Sequence, residues 1–392
     1  MAQQPSLKRG LNLPLLVLYG LGTTIGAGIY ALVGKVAGNA GMHAPFAFLL
    51  SAALVAFSAF SFGELSSRLP RSAGEAVYVQ EGFGLRWLAL AVGLLVVLAG
   101  IVSCATLARG FVGYVQELTA LPAWLGIVAV VLLLGAVAAW GITESAILAA
   151  GVTLLEAGGL VFVIWSGHDA LATLPARWPE IVPPLEGGVW VGMLSAVVVA
   201  FYAFIGFEDM VNVSEEVRDP SRNMPRAIMI TLVVTTVLYG LVSWVSVAHM
   251  APDALSGSAA PMSDVFRQLT GWPSHAFDTL VVGAVMNGAL VQIIMASRVL
   301  YGLAQQGWLP AAFGTVGSRT RTPTIATATA AAAVFTMAFI FPIEALARTT
   351  SFVPLLIFAL VNLALLRVRN TKPAPGWQPP PTLIPAAGLV FS

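Results

Sequence analysis

The sequence predicts an all-α integral membrane protein, a bundle of ten spanning helices of which two are broken near their middles. Of its 392 residues 58% are hydrophobic and only 9% charged, and the mean hydropathy is +0.88. A soluble domain carries about 25% charged residues. Apolar stretches recur along the chain at lengths suited to crossing a bilayer. In two of them glycines and acidic residues appear at depths where lipid offers polar groups no partner.

A helix needs about 20 residues to cross roughly 30 Å of hydrocarbon. Windows of that length lie near 13–36, 42–63, 85–108, 123–140, 146–166, 189–211, 227–249, 277–303, 323–342 and 346–366. An eleventh begins near Thr382 and meets Ser392 before it could cross, so the expectation is ten complete spans plus a truncated eleventh. The proline-rich tracts "WPEIVPPLEGG" (178–188) and "KPAPGWQPPP" (372–381) read as loops. The start "MAQQPSLKRG" leads into an apolar run without a small-residue cleavage pattern, so the first helix reads as retained.

Charge sets orientation. With the N-terminus in the cytoplasm, fourteen Lys and Arg residues fall in loops on that side and five on the other, which predicts a multi-pass protein of the plasma or inner membrane with cytoplasmic termini. The stretches near 167–188 and 250–276 then face outward. The formal charge of +1 points to neither nucleic acid nor an acidic partner. Cys104 is the single cysteine and sits in an apolar run, which excludes a disulfide framework.

The first window contains "GTTIGAGIY" (22–30). Glycine costs about 1 kcal/mol in a helix interior relative to alanine. Gly22 and Gly26 suit close packing, since small residues four apart let helices approach, but they equally suit an unwound hinge. The sixth window favours the hinge: "AFYAFIGFEDMVNVSEEVRDP" (200–220) places Gly206, Glu208 and Asp209 at membrane depth. A packing glycine needs no carboxylates beside it. The first and sixth helices are also equivalent positions in a five-plus-five inverted repeat, where paired interrupted segments mark a substrate site. The halves would be 1–166 and 189–370, joined by an outer loop at 167–188 and followed by a Pro-rich loop and helix stub at 371–392.

Four segments together resemble the amino acid–polyamine–organocation superfamily of permeases: "GTTIGAGIY" (22–30), "GELSSRLPRSAGEAVYV" (63–79), "FYAFIGFEDMVNVSEEVRDPSRNMPRAI" (201–228) and "SRVLYGLAQQGWLP" (297–310). The resemblance runs from the first helix to the tenth and is nearest to bacterial permeases of the cationic amino acid transporter-like group. It implies a LeuT-like five-plus-five bundle and secondary active transport of amino acids by alternating access, without a cofactor. Two departures stand out. Ala73 occupies a position where a second glycine is common, and Glu208 replaces a more frequent aspartate.

By this resemblance, amides around Thr24, Ile25, Gly26, Ala27 and Gly28 hold the substrate carboxylate, at a half-helix N-terminus with partial positive charge. Carbonyls near Tyr202, Ala203 and Ile205 take the ammonium. Phe201 and Phe204 read as gates or pocket walls, with plain core packing the other reading. Related folds place a sodium site against hydroxyls of the eighth helix, and "VVGAVMNGALVQIIMA" (281–296) has no Ser or Thr. That argues for protons instead. Glu156, deep in the fifth helix, falls where some proton-coupled relatives carry a lysine. A carboxyl taken out of water favours its protonated form, which makes Glu156 the expected proton-coupling residue, with Glu208 second and a structural hydrogen bond as the rival role. Adjacent on a helix, Glu208 and Asp209 point about 100° apart, so Glu208 is expected to face inward and Asp209 to pair with a polar neighbour or help close a gate. Glu64, Arg68, Arg71, Arg218 and Arg222 are candidates for cytoplasmic gate ion pairs or solvated charge.

Symport with protons is the leading expectation, and exchange or transport of an amine stays open. A polyamine would leave the amides of the first helix without a carboxylate to bind. An enzyme is not expected: His43, His168, His249 and His275 are scattered, and none belongs to a metal-binding pair at helical spacing. A channel would need a repeated filter or a ring of like charges, and neither is present. Cys104 lies inside a helix, so a disulfide-linked ancillary subunit is not expected.

Overall fold

The computed structural model describes residues 6–26, 28–118, 122–341, 346, 353–369 and 383–391. Regular structure there is helical apart from one bridge between Leu11 and Val217. In chain order the helices are α1 (Leu13–Ile25), α2 (Gly28–Ala40), α3 (Ala44–Arg68), α4 (Gly74–Phe83), α5 (Arg86–Leu118), α6 (Ala123–Trp140), α7 (Ile142–Ser166) and α8 (His168–Ile181). Then come α9 (Gly187–Phe204), α10 (Pro220–His249), α11 (Pro252–Gly257), α12 (Pro261–Thr270), α13 (His275–Gln305), α14 (Thr324–Ile340), α15 (Val353–Val368) and α16 (Leu383–Phe391).

Every apolar window carries helix, and two carry it in pieces. The first window is split between α1 and α2, and the sixth between α9 and a 3₁₀ segment, Phe207–Glu216. Among the described residues seven segments are long and apolar enough to cross a membrane, with α2 and α3 counted as one, while α1, α14 and α15 are shorter apolar helices. The bundle turns large apolar side chains outward: Trp87, Leu132, Leu155 and Val191 are each more than 60% exposed. Lipid, unlike water, accepts such a surface. Inside, α3 packs along α10, α5 along α13, α6 along α14 and α2 along α9.

Two expected loops turn out to hold helices. The stretch 167–188 contains α8, despite Pro175 and Pro179 within it, and 250–276 contains α11 and α12. Docking overrides the proline penalty in α8. Trp244 Nε1 donates to the Ala170 carbonyl at 2.9 Å, the Arg177 guanidinium lies 5.0 Å over the Trp244 ring, and His249 Nε2 lies 3.1 Å from Asp169. The hydrogen bond with His249 holds the Asp169 carboxyl below its ordinary range. The tract 372–381 lies outside the described residues.

The turn between α3 and α4 is built on unfavourable backbone. Ala73 has φ 58° and ψ 45°, the left-handed conformation that costs a residue with a Cβ roughly 1–2 kcal/mol. This explains why a second glycine suits the position. The turn is held from outside instead: Ser72 N donates to Glu215 Oε1 at 3.2 Å and Gly74 N to Asn212 Oδ1 at 3.1 Å. Gly302 of α13 lies against it, and a Cβ there would come within 2.6 Å of the Ser72 backbone. Gly302→Ala is therefore expected to cost about 1–3 kcal/mol by overpacking, read as a lower thermal unfolding midpoint of the detergent-solubilised protein. Gly151→Ala, on α7 with no atom within 4 Å of the new methyl, is expected to leave the midpoint unchanged or raise it.

Candidate functional site

The two breaks meet. α1 ends at Gly26, whose φ of +32° and ψ of −147° leave the helical region, and α2 starts at Gly28. α9 ends at Phe204, and Gly206 turns the chain with φ +129° into the 3₁₀ segment. A Cβ on Gly206 would approach the Thr23 carbonyl carbon to 2.7 Å and Thr24 N to 3.1 Å. Glycine is thus required there twice, by its dihedral and by the backbone lying against it. The Tyr239 hydroxyl on α10 lies 2.8 Å from the Thr24 carbonyl oxygen and 3.0 Å from that of Ala203. These carbonyls belong to the last turns of α1 and α9, which lack intrahelical donors. One hydroxyl, donating to either, ties both broken helices together.

Beside this junction is a cavity of about 320 Å³. Thr23, Thr24, Gly26 and Gly28 border it from the first break, and Tyr202, Ile205, Gly206, Glu208 and Asp209 from the second. α5 adds Val96 to Leu107 in part, α13 adds Gly288, Gln292 and Met295, and α15 adds Pro354, Ile357 and Phe358. Glu75 of α4 completes the wall. Among the described residues three carboxyls therefore border the cavity, and no Lys, Arg or His does. Glu208 Oε2 accepts from Gly206 N at 2.7 Å, and Asp209 Oδ2 accepts from Gln292 Nε2 at 2.7 Å. Glu75 Oε1 accepts from Asn212 Nδ2 at 3.2 Å, while its Oε2 has no partner among the described residues.

Paired helix breaks around a polar cavity, in a bundle with an apolar exterior, agree with what known proteins say of this chain. A family model described as amino acid permease matches residues 11–392. The chain belongs to the amino acid permease family. The cationic amino acid transporters of Arabidopsis thaliana numbered 3, mitochondrial, and 2, vacuolar, are 30% and 32% identical over 94% of this chain. Those alignments cover 63% and 61% of the relatives, so the chain spans about three fifths of their length. The branched-chain amino acid permease BcaP of Bacillus subtilis is 27% identical over 94% of this chain and 83% of its own length. These relatives are transporters and permeases, not enzymes, and the chain is a multi-pass membrane protein.

Within this family member the expected site residues are distributed unevenly. Thr24, Gly26, Gly28, Tyr202, Ile205 and Glu208 border the cavity, and Ala27 lies outside the described residues. Helix α1 persists through Ile25, so the amides of Thr24 and Ile25 belong to its last turn. The amides without intrahelical partners are instead those that begin α2, at Gly28, Ile29 and Tyr30. Ile25 is fully buried away from the cavity. The Tyr202 carbonyl accepts from Ile205 N at 3.3 Å, and that of Ala203 shares the Tyr239 hydroxyl with the Thr24 carbonyl. Phe204 packs on Tyr239, with ring centroids 5.0 Å apart, and Phe201 packs on Phe358 at 6.2 Å. Neither phenylalanine borders the cavity.

Glu208 and Asp209 both border the cavity, contrary to the expectation that only one could. The backbone there is 3₁₀ rather than α, and the Glu208 carboxyl folds back onto the Gly206 amide. Glu156 is fully buried but does not reach the cavity. Its Oε1 accepts from Asn287 Nδ2 at 3.0 Å, that amide also lies 3.0 Å from Thr153 Oγ1, and Oε2 has no partner among the described residues. This cluster packs against Gly22, where a Cβ would come within 2.9 Å of Asn287 Nδ2. Gly22 is therefore a packing glycine, while Gly26 is a conformational one.

The expected gate charges do not gather in one place. Buried Glu64 accepts from Arg68 Nε at 3.1 Å and lies 3.2 Å from Arg369 Nε, joining α3 to the end of α15. Arg218 is exposed and donates to the Arg9 carbonyl, and Arg222 lies 4.0 Å from Asp219 at the surface. The fully buried ion pair near this end is Arg298 to Glu216, with Nε to Oε2 at 3.0 Å. Sequence reasoning passed over both, although an arginine inside an apolar helix signals a buried partner. Tyr239 and Glu75 were missed too. Glu75 stands inside a quoted motif, whereas a tyrosine in the apolar run of α10 carries no local signal.

Tyr239→Phe keeps the ring against Phe48 and Phe204 but removes the one donor that the Thr24 and Ala203 carbonyls share, which is expected to cost about 1–3 kcal/mol. Glu216→Ala strands a buried guanidinium and is expected to cost about 3–5 kcal/mol. Thermal unfolding midpoints of the purified variants should fall in that order.

Proposed function

We propose that this protein is a secondary transporter that moves amino acids across a membrane by alternating access, coupled to protons. The observation that carries the reading is the meeting of two interrupted helices, from the first and sixth apolar windows, at one polar cavity. A five-plus-five inverted repeat with ten complete spans would produce this placement. It is supported by the packing of α3 on α10, α5 on α13, α6 on α14 and α2 on α9, since each pair joins windows five apart. In such repeats the substrate site lies between the broken helices. The proposed location is the plasma or inner membrane, with the N-terminus in the cytoplasm.

In this scheme the substrate carboxylate sits at the start of α2, where unpaired amides and the helix dipole favour an anion. The ammonium lies toward the C-terminal end of α9, close to Glu208. The cavity's volume is at the lower end of the range for small-molecule sites. Glu156 is the proposed proton-coupling residue and Glu208 the second. The support for Glu156 is its burial with one neutral amide partner and one oxygen free among the described residues. An ionised carboxylate so placed is costly to keep without a cation beside it.

Purified protein screened by thermal shift against the twenty amino acids and common amines is expected to be stabilised by one class of amino acid, because a ligand of the native state raises the midpoint by mass action. Stabilisation by amines alone, or by nothing in the set, overturns the reading. In proteoliposomes Glu156→Gln is expected to lose uptake driven by a pH gradient, by tenfold or more, while counterflow at equal pH persists. Unimpaired gradient-driven uptake assigns Glu156 a structural role instead.

A further inference from the structure

The residues before α1 form a strap to which the binding of a substrate assigns no task. Residues 6–12 run without helix past the ends of several others. On one side the strap is joined by main chain. Leu11 N donates to the Glu216 carbonyl at 3.0 Å and Arg218 N to the Leu11 carbonyl at 2.8 Å, which makes the bridge at the end of the 3₁₀ segment. Leu11 and Val217 are fully buried, and Asn12 caps α1 by accepting from Leu15 N at 3.0 Å. The strap thus fastens the start of α1 to the end of the 3₁₀ segment, the ends that lie away from the cavity. Its other side meets different helices. Gly10 packs on Thr143 so closely that a Cβ would strike the hydroxyl, and Lys8 Nζ lies 3.8 Å from Glu144 Oε1, both at the start of α7. Arg321 Nη2 donates to Ser6 Oγ at 3.1 Å. The turn that carries Arg321 is in turn fixed to the end of α6, where Thr322 Oγ1 donates to the Ala139 carbonyl at 2.9 Å.

The two sides differ in kind. Buried main-chain bonds cannot be given up without leaving donors and acceptors unmet. The Lys8 and Glu144 side chains are 52% and 41% exposed, and an ion pair so placed exchanges with water at little cost. The line of weakness therefore runs between the strap and α7, not between the strap and the half-helices. We propose that residues 6–10 are a releasable latch. The strap travels with α1 and the 3₁₀ segment as one body, and its grip on α7 and on the turn before α14 holds that body in the position seen here. Release is the step that opens the cavity toward the strap. This inference rests on the alternating-access reading and adds the device that holds one of its two states. The body is joined at both ends, by the bridge at Leu11 and by Gly206 lying against Thr23. These joints are roughly 17 Å apart, at about 1.5 Å per residue of α1. A half-helix freed at the strap therefore has a long lever about the break.

The test first ties the latch shut. Lys8→Cys and Glu144→Cys, combined in a Cys104→Ala background, are joined in the purified protein by a short bismaleimide. In proteoliposomes the joined protein is expected to lose uptake of a radiolabelled mixture of the twenty amino acids by tenfold or more, while each single-cysteine variant, treated alike, keeps it. Uptake that survives the joining overturns the proposal, because a strap that need not let go is no latch. A second measurement needs no transport. Thr143→Cys, in the same background, puts a thiol under the strap, where a water-soluble maleimide reaches it only when the strap lifts. Arg321→Gln loosens the far end of the strap and is expected to speed that labelling several-fold. Arg319→Gln, on the same turn but exposed and without a bond to the strap among the described residues, is expected to leave the rate unchanged. Equal rates in Arg321→Gln and its parent also overturn the latch, with amino acid transport left standing. If the parent moves none of the amino acids the transport reading fails instead, and the labelling alone decides whether the strap releases.

Discussion

The contact of Gly206 with the backbone of Thr23 and Thr24 is the constraint on which the rest of the site depends. Two helices can approach backbone to backbone only where one lacks a side chain, and both are interrupted at that point. The positive φ values of Gly26 and Gly206 send each chain out of its helix beside the contact rather than through it. Each interruption leaves orphan carbonyls, which lipid would not satisfy. The Tyr239 hydroxyl meets the carbonyls of Thr24 and Ala203, and the cavity opens where amides and carboxyls remain. A larger residue at 206 would part the helices and take the cavity wall with them.

The second break does more than expose backbone. By continuing as 3₁₀ rather than α, the segment Phe207–Glu216 winds three residues to the turn. That repeat aligns Asp209 with Asn212, and Asn212 reaches the turn before α4. Glu215 reaches the same turn at Ser72 N, and Glu216 pairs with Arg298 of α13. One short segment thus forms part of the cavity wall, clamps a strained turn and anchors a neighbouring helix. Its polar residues are nearly all buried, and Glu208, Asp209, Asn212, Glu215 and Glu216 each have a partner named above. A movement of this segment would have to exchange several bonds at once, which is the behaviour of an element with discrete rather than graded positions.

Much of this was legible in the sequence, because lipid imposes strong rules. Each apolar window predicted a helix, and glycines beside carboxylates marked the breaks at the first and sixth. What local pattern could not supply was register. Whether α1 ends before Thr24 or after Ile25 depends on tertiary contacts, so of the amides expected at the break those of Thr24 and Ile25 fall within α1 and that of Gly28 begins α2. The Ala203 carbonyl, expected to face the substrate, lies 3.0 Å from the Tyr239 hydroxyl, which is thirty-six residues away in sequence. Glu75 pairs with Asn212 across 137 residues, and Glu216 with Arg298 across 82. The helix at 168–181 was hidden by its prolines and is held by Trp244 and His249, which belong to α10. Local signals decide where the chain can cross; long-range pairs decide what the crossings do.

The separation of Glu156 from the cavity bears on how coupling could work. Its carboxyl bonds Asn287 and lies behind Gly22, whereas the cavity is bordered by Thr23, Thr24 and Gly26 of the same helix. A proton at Glu156 therefore has no direct contact with the cavity and can act on a substrate there through the two half-helices beside it, α1 at Gly22 and α2 by the Tyr30 hydroxyl, which donates to the Glu156 carbonyl at 2.9 Å. Asn287 Nδ2 is shared between Glu156 Oε1 and Thr153 Oγ1, and a Cβ at Gly22 would collide with it. A change in the charge of Glu156 changes how strongly that amide is held, and hence how closely α1 can lie against α7 and α13. Since the same helix ends three residues further on at the break, a shift there would move the start of α2 and its amides together. On the proposed reading, proton and substrate would be linked by the positions of the two half-helices of the first window, without any shared ligand.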